Sequence, residues 1–379
     1  MRIADLETPA LILDLAVLER NCAAMAERAK RHGVRLRPHI KTAKSAEVAA
    51  IATRGQFGGL TVSTVAEAAY FAAHKFRDLT YGVGIARDKI PALAAIQRTH
   101  GATISLILDS VSAATAAATC AEKEQSTFQV LIEIDTGGAR AGVDPEDPEL
   151  LAVARAIGES KSLKLSGVLS HAGHSYHAHG GDEIRRIAEQ ERSGVVRAAQ
   201  RIIAAGLPCE TVSVGSTPTA VYAERLDGVT EMRPGVYTFF DLDQVGLGVC
   251  TEDDIAVSVL ATVIGHNRRT NRILIDAGAL ALSKDLSASE FTQDVGYGFI
   301  RPVRGTVFPP VHLFVAEVHQ EHGSIAAAKG ELPWDALPVG VKVRVLPNHA
   351  CLTVAPFDRY HVDRGDGLAE VQWEKIRGW

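Results

Sequence analysis

The 379-residue sequence predicts an α/β protein, a (β/α)8 barrel of the TIM type joined to a mainly antiparallel β domain. Three observations lead there. Before residue 248, eight short β-branched runs alternate with Ala-rich amphipathic segments; alternating βα units imply a parallel sheet, and eight of them imply a closed barrel. Beyond residue 248, strand-like runs are separated by Gly, Pro, Asn and Asp turns with few helical stretches, the texture of an antiparallel sheet. The length also exceeds what one hydrophobic core usually serves.

In chain order, Leu15, Leu18, Cys22, Met25 and Ala29 step by three and four, which puts them on one face of a helix that Gly33 ends. The eight barrel strands are expected over Val34–His39, Gly58–Ser63, Leu79–Val83, Ile104–Asp109, Phe128–Asp135, Leu163–His171, Thr211–Gly215 and Gly228–Arg233. Helices such as Val65–His74 and Ile184–Ala205 lie between most of them. A doubly wound open sheet is the competing arrangement, but GxGxxG is absent after the first strand, and the barrel is favoured. In the second part, strands are expected over Ile255–Val263, Arg272–Ile275, Val311–His319 and Val341–Leu346. The expected domains are thus 8–247 for the barrel and 248–379, with 1–7, for the β domain.

Bulk properties exclude several functions. A formal net charge of −5, with no block of Lys or Arg, gives no electrostatic case for nucleic acid. No run approaches the roughly 18 apolar residues of a membrane span, and the first residues do not resemble a signal peptide. The five cysteines are odd in number, widely spaced and without CxxC, so a disulfide framework or four-cysteine zinc site is not expected and a cytoplasmic setting is.

Active sites of such barrels form where strands end. Here the first strand ends in Arg37-Pro38-His39-Ile40-Lys41-Thr42, the second at Ser63, and the fifth leads to Asp135 and Arg140. The sixth ends at His171, the seventh in Gly215-Ser216-Thr217 and the eighth in Arg233-Pro234-Gly235-Val236-Tyr237. A lysine is ordinarily a solvated surface residue. Lys41, however, follows a strand through a Pro-stiffened turn, where desolvation beside cations such as Arg37 would make its amine a usable nucleophile for a carbonyl cofactor. The Gly215 and Gly235 loops offer close backbone approach, hydroxyls and N–H groups for an anion; taken singly, each also reads as an ordinary barrel turn. His349-Ala350-Cys351 is expected at a strand end, where residues i and i+2 face one side and could share one divalent ion, zinc first, with manganese or cobalt able to substitute. A lone HxC is usually chance pairing. His174, His177 and His179 read as a solvated polar loop.

Pro38-His39-Ile40-Lys41-Thr42, Val214-Gly215-Ser216-Thr217, Arg233-Pro234-Gly235-Val236-Tyr237 and Pro347-Asn348-His349-Ala350-Cys351, taken together and in this order, resemble the D-serine dehydratase and D-threonine aldolase family of alanine-racemase-like, fold-type III pyridoxal-phosphate enzymes. The likeness runs from Thr8-Pro9-Ala10 to Trp379. It implies a pyridoxal 5′-phosphate (PLP) barrel, a head-to-tail homodimer, and Lys41 as the Schiff-base lysine. It further implies Arg140 and His171 as cofactor-ring contacts, Ser216, Thr217, Gly235 and Val236 as phosphate ligands with Tyr237 beside them, and His349 and Cys351 as the metal pair. Ser63 is a weaker cofactor contact, because relatives vary there. Members that cleave by retro-aldol tend to carry His-x-Asp, whereas dehydratases resemble His-x-Cys. The expectation is therefore metal-assisted loss of the β-hydroxyl of a D-3-hydroxy amino acid, giving a 2-oxo acid and ammonia. The alternatives are an aldolase releasing glycine, a racemase, and a non-catalytic PLP carrier; a racemase needs a second base that no tyrosine here supplies convincingly. For a second substrate carboxylate, Arg37, Arg140 and Arg233 are the available cations.

Overall fold

The computed structural model describes residues 2–138, 140–303 and 312–379. The first helix forms as its periodicity demands: Leu15–Arg31 is α-helical, with Leu18, Cys22, Met25 and Ala29 buried. Gly33 ends it at φ 66°, a left-handed turn that costs glycine no Cβ clash.

All eight expected barrel strands are present, and shorter than their apolar runs: Arg35–Leu36, Leu60–Val62, Asp78–Gly84, Thr103–Leu108, Phe128–Ile134, Leu163–Ser170, Thr211–Val214 and Glu231–Met232. Each pairs in parallel with its neighbour in chain order, and the last pairs with the first. A parallel bridge between His39 and Thr61, with Ile40 N donating to Thr61 O at 2.9 Å, joins the first strand to the second and closes the ring. The strands are buried on both faces, as in Phe128–Ile134, where only Gln129 is exposed. Helix starts follow side-chain capping: Thr64 accepts from Glu67 N at the head of Val65–Ala73, and Ser110 accepts from Ala113 N at the head of Val111–Lys123.

The second sheet is mainly antiparallel. Val257–Asn267, Arg272–Ile275, Gly323–Ala327, Leu313–Val318, Gly298–Pro302 and Lys342–Pro347 pair in that order, and the last returns to the first, forming a six-stranded ring. The expected strand over Val311–His319 corresponds to Leu313–Val318; Val311 lies outside the described residues. Gly298–Pro302, Gly323–Ala327, Arg359–Asp363 and Val371–Glu374 were not expected; each is only four or five residues long, too short a run for its pattern to stand out.

The chain divides into two compact units, Met1–Ala23 with Val236–Arg377, and Ala24–Gly235 with Gly378–Trp379. Ala10–Asp14 belongs to the first: it pairs antiparallel with Val257–Asn267 and parallel with Arg359–Asp363. The sequence reading had placed this segment on the barrel side. Its all-apolar run Ala10-Leu11-Ile12-Leu13 carries no local sign of which sheet it will join. No helix among the described residues is long and apolar enough to cross a membrane.

Candidate active site

In the barrel unit, Lys41 follows the first strand as expected. It is exposed, and its amine makes no ion pair or hydrogen bond with a described residue. The expected cationic neighbour is corrected. Arg37 is 5% exposed, and its guanidinium is committed to Glu231, Nε to Oε2 at 2.8 Å, and to Asp78, Nη1 to Oδ1 at 2.7 Å. Glu231 is fully buried and needs that partner, which a sequence reading of strand ends cannot see. Arg233 is likewise committed, to Ser213 Oγ and to Ser170 O at 2.6 Å. Of the three arginines considered for substrate, Arg140 alone keeps an exposed side chain, 3.7 Å from Glu133.

His171 ends its strand as expected and meets Gly215 O through Nδ1. Burial pushes its pKa down to about 3; the Gly215 contact opposes that, and the charges of Lys41, Arg140 and Arg233 reinforce it. The imidazole is neutral at pH 7. His39 is pushed well down by burial and by the same kind of cations, and its Nδ1, shielded from solvent, has no hydrogen-bond partner among the described residues.

Ser216 caps the short helix Thr217–Tyr222, accepting from Thr219 N at 3.1 Å. Ser216 is 2% exposed, yet its own backbone N–H donates to nothing among the described residues. Gly235 lies so close to the first strand that an added Cβ would stand 2.8 Å from His39 O. Ser63 N donates to Glu67 Oε2 at 2.7 Å, and the buried Glu67 also pairs with Lys44 Nζ at 3.1 Å. The loop of histidines is largely solvated as expected, with His174 half-buried, and two of its other residues pack inward. His177 and His179 are exposed, but Ser175 Oγ reaches Ser216 Oγ at 2.8 Å, and Thr217 N donates to Tyr176 Oη at 3.4 Å.

In the β unit, Val236 and Tyr237 are buried in a short 3-10 turn, and burial raises the Tyr237 hydroxyl well above its usual pKa. His349 and Cys351 do meet, but not as i and i+2 of a strand. The strand ends at Pro347, His349 precedes the helix Ala350–Val354, and Cys351 lies within it. The turn is fixed by two buried side chains. Asn348 donates to Gly296 O at 2.7 Å and accepts from Ala288 N at 3.2 Å, while Asp241 Oδ2 accepts from Ala350 N at 2.9 Å. His349 Nδ1 stands 2.5 Å from Asp285 Oδ2. Burial lowers the His349 pKa, but hydrogen bonds to Asp285 and Cys351 outweigh it and push the group up to about 11. Asp241, raised by burial to about 7, and Asp243 also feel the His349 charge. Sequence reasoning missed Asp241, Asp243 and Asp285. Of these, only Asp241 carried a local sign, as the N-cap of Leu242–Gly246.

A closed parallel barrel with a lysine at its first strand end, joined in one chain to an antiparallel β unit, defines an enzyme of the alanine-racemase-like class. Comparisons with known proteins agree. The family model for the N-terminal domain of alanine racemase matches residues 13–243, and that for a putative serine dehydratase domain matches 256–363. The chain belongs to this family and is a lyase, like the dehydratases it resembles. It is 46% identical to D-threo-3-hydroxyaspartate dehydratase of Delftia sp. (strain HT23), covering 100% of this chain and 99% of that one. It is 31% identical to D-serine dehydratase of Dictyostelium discoideum over 100% and 98% of the two chains. A D-threonine aldolase of Arthrobacter sp. is more distant, 27% identical over 98% and 93%. The solved Delftia dehydratase superposes with a TM-score of 0.95 over 100% of both chains, at 44% identity. A Cys-to-Ala mutant of that enzyme has been solved in a metal-free form.

Proposed function

We propose that this protein is a PLP- and divalent-metal-dependent dehydratase that converts a D-3-hydroxy amino acid to a 2-oxo acid and ammonia, with D-threo-3-hydroxyaspartate as first substrate and D-serine as second. The observation that carries the reading is the meeting of His349 and Cys351 in a chain matched end to end by a dehydratase.

The residues present fit both groups. For PLP, the barrel offers the unpartnered Lys41 amine, the orphaned Ser216 N–H and the orphaned His39 Nδ1. Lys41 would hold the aldehyde, Ser216, Thr217, Gly235 and Val236 the phosphate with Tyr237 beside them, and Ser63, Arg140 and His171 the ring. For the metal, His349 and Cys351 are an imidazole and a thiol suited to zinc, manganese or cobalt. No group of three or more His, Cys, Asp or Glu among the described residues is arranged to hold a metal. Two protein donors leave positions for water and substrate, as a catalytic ion requires.

When bound, the cofactor supplies an electron sink at Cα and the metal a Lewis acid for the departing hydroxyl. Lys41 takes the Cα proton as general base. His171, neutral at pH 7, would contact the ring without adding charge. His349 and Cys351 would hold the ion, with Asp285 orienting His349; Arg140, exposed beside Glu133, is the cation left for a second substrate carboxylate if it is not spent on the ring. Water leaves from Cβ, and hydrolysis of the released enamine returns one water, giving oxo acid and ammonia. We further infer a homodimer, as the family resemblance implies. We also infer a cytoplasmic setting from five cysteines that are odd in number, widely spaced and without CxxC.

The test is turnover of D-threo-3-hydroxyaspartate, D-serine and D-threonine with and without EDTA, assaying oxo acid and glycine together. Oxo acid that disappears on chelation is expected. Glycine as the main product would make the protein an aldolase instead.

A further inference from the structure

Glu191 is the least expected group in the barrel unit: a carboxylate 1% exposed, in the middle of the helix Gly181–Ala204. Its Oε1 accepts from Ala172 N at 2.9 Å and from Gly215 N at 3.1 Å, and its Oε2 accepts from Thr219 Oγ1 at 2.9 Å. It therefore ties the loop after the sixth barrel strand to the loop after the seventh and to the helical turn that follows.

The hydrogens can be counted. Ala172 N and Gly215 N can only donate, so Oε1 is an acceptor; burial raises the Glu191 pKa, and the hydrogen bonds from Gly215, Thr219 and Ala172 and the charge of Arg233 oppose that rise and favour the carboxylate. A hydroxyl has one proton and two acceptor sites. With Glu191 as the carboxylate, Thr219 gives its proton to Oε2 at 2.9 Å in preference to Ser216 O at 3.4 Å. The 2.8 Å contact between Ser216 Oγ and Thr219 Oγ1 then requires Ser216 to donate. The 2.8 Å contact between Ser175 Oγ and Ser216 Oγ in turn requires Ser175 to donate. With Thr219 N as a further donor at 3.1 Å, Ser216 Oγ has given one proton and received two. Its hydroxyl is fully used inside the protein, and only the Ser216 backbone N–H still needs an acceptor.

We propose that Glu191 is a positioning residue for the cofactor-phosphate loop: through Thr219 it turns the Ser216 hydroxyl inward, so that Ser216 serves the phosphate with its backbone N–H alone. This rests on the PLP reading above and sharpens it. The sequence makes Ser216 look like a hydroxyl ligand, whereas the hydrogen-bond relay makes it an N–H ligand held in place by a carboxylate from a distant helix. A glutamine at position 191 could accept at one oxygen but would meet Thr219 with an NH2 group, reversing the relay.

The experiment titrates cofactor-free protein with pyridoxal 5′-phosphate and, separately, with pyridoxal, following the absorbance of the Lys41 adduct. The ratio of the two affinities isolates the phosphate contribution, which a loss of general stability leaves unmoved. Wild-type protein is expected to prefer the phosphorylated form strongly. Glu191→Gln should lose about tenfold or more of that preference with pyridoxal binding retained. Ser216→Ala should lose at least about threefold less than Glu191→Gln does. If Glu191→Gln does not fold, Thr219→Val, which cuts the relay and spares the backbone bonds of Glu191, is expected to lose preference as well. Equal losses for Ser216→Ala and Glu191→Gln, or an unchanged ratio in Glu191→Gln or its Thr219→Val substitute, overturn the proposal. Absence of any preference in the wild type sinks the PLP-phosphate reading instead.

Discussion

Asp285 Oδ2 lies 2.5 Å from His349 Nδ1, across 64 residues of sequence. A carboxylate on Nδ1 fixes the ring orientation and its tautomer and leaves Nε2 as the nitrogen for a metal. Removing such a partner typically weakens metal affinity by 10- to 100-fold. Asp285→Ala should therefore lower Zn²⁺ or Mn²⁺ affinity by about tenfold or more in calorimetric titration, and Asp285→Asn, which keeps an acceptor, by less. Equal affinity in wild type and Asp285→Ala would remove the orienting role.

Lys41 is the proposed Schiff-base lysine and base at Cα. Lys41→Ala should fold, as the side chain is exposed and makes no described bond. It should show no turnover above background and no lysine-adduct absorbance. Residual activity near the wild-type level points to another base.

Cys351 separates the two reactions of the family. If the second metal donor governs reaction class, Cys351→Asp should keep metal binding and lose at least about tenfold in oxo-acid formation, with glycine rising from D-threonine. Oxo acid formed at the wild-type rate would show that the donor does not set the reaction.

His171 gives a pH prediction. Its folded pKa of about 3 lies below the ordinary 6.5, chiefly through burial. The unfolded chain therefore binds a proton that the folded one refuses, and the stability tied to this residue falls as pH drops from 6.5 towards 3. The slope is at most about 1.4 kcal/mol per pH unit. Asp241, raised to about 7, acts in the opposite direction, gaining stability as pH falls below its folded pKa. The two are separated by comparing wild type with His171→Gln in urea unfolding of cofactor-free protein at pH 7, 6, 5 and 4. The stability difference should shift in the variant's favour as pH falls; a constant difference contradicts a neutral buried His171.

Arg37 holds the fully buried Glu231 and the half-exposed Asp78. Arg37→Met removes the shortest ion pair of Glu231 but leaves Arg35 at 3.8 Å and the Ser213 hydroxyl, and should cost about 3 kcal/mol in urea unfolding, the low end for breaking a buried pair. A cost below about 1 kcal/mol would mean that Glu231 is neutral or hydrated.

Local pattern was enough for the eight barrel strands, the Leu15–Arg31 helix and the strand-end positions of Lys41, His171 and the Gly215 loop, because strand and helix periods are written within ten to twenty residues. The His349–Cys351 pair was named for a geometry it does not have. The two meet because Asn348 and Asp241, each bonded to distant backbone, bend the chain into a helical turn just after the strand. Which sheet Ala10–Asp14 joins was not legible either, since an all-apolar run fits any sheet that will bury it.

By itself, then, the sequence determined the order of elements and the residue types at the strand ends, since both follow from short-range sterics and burial. Only the tertiary structure decided how the charges are used: Arg37 and Arg233 are spent inside the barrel, Arg140 stays exposed, Glu191 orders the Ser216 loop and Asp285 orients His349. A buried charge takes whichever partner the fold brings within about 3 Å, and that partner can lie anywhere in the chain.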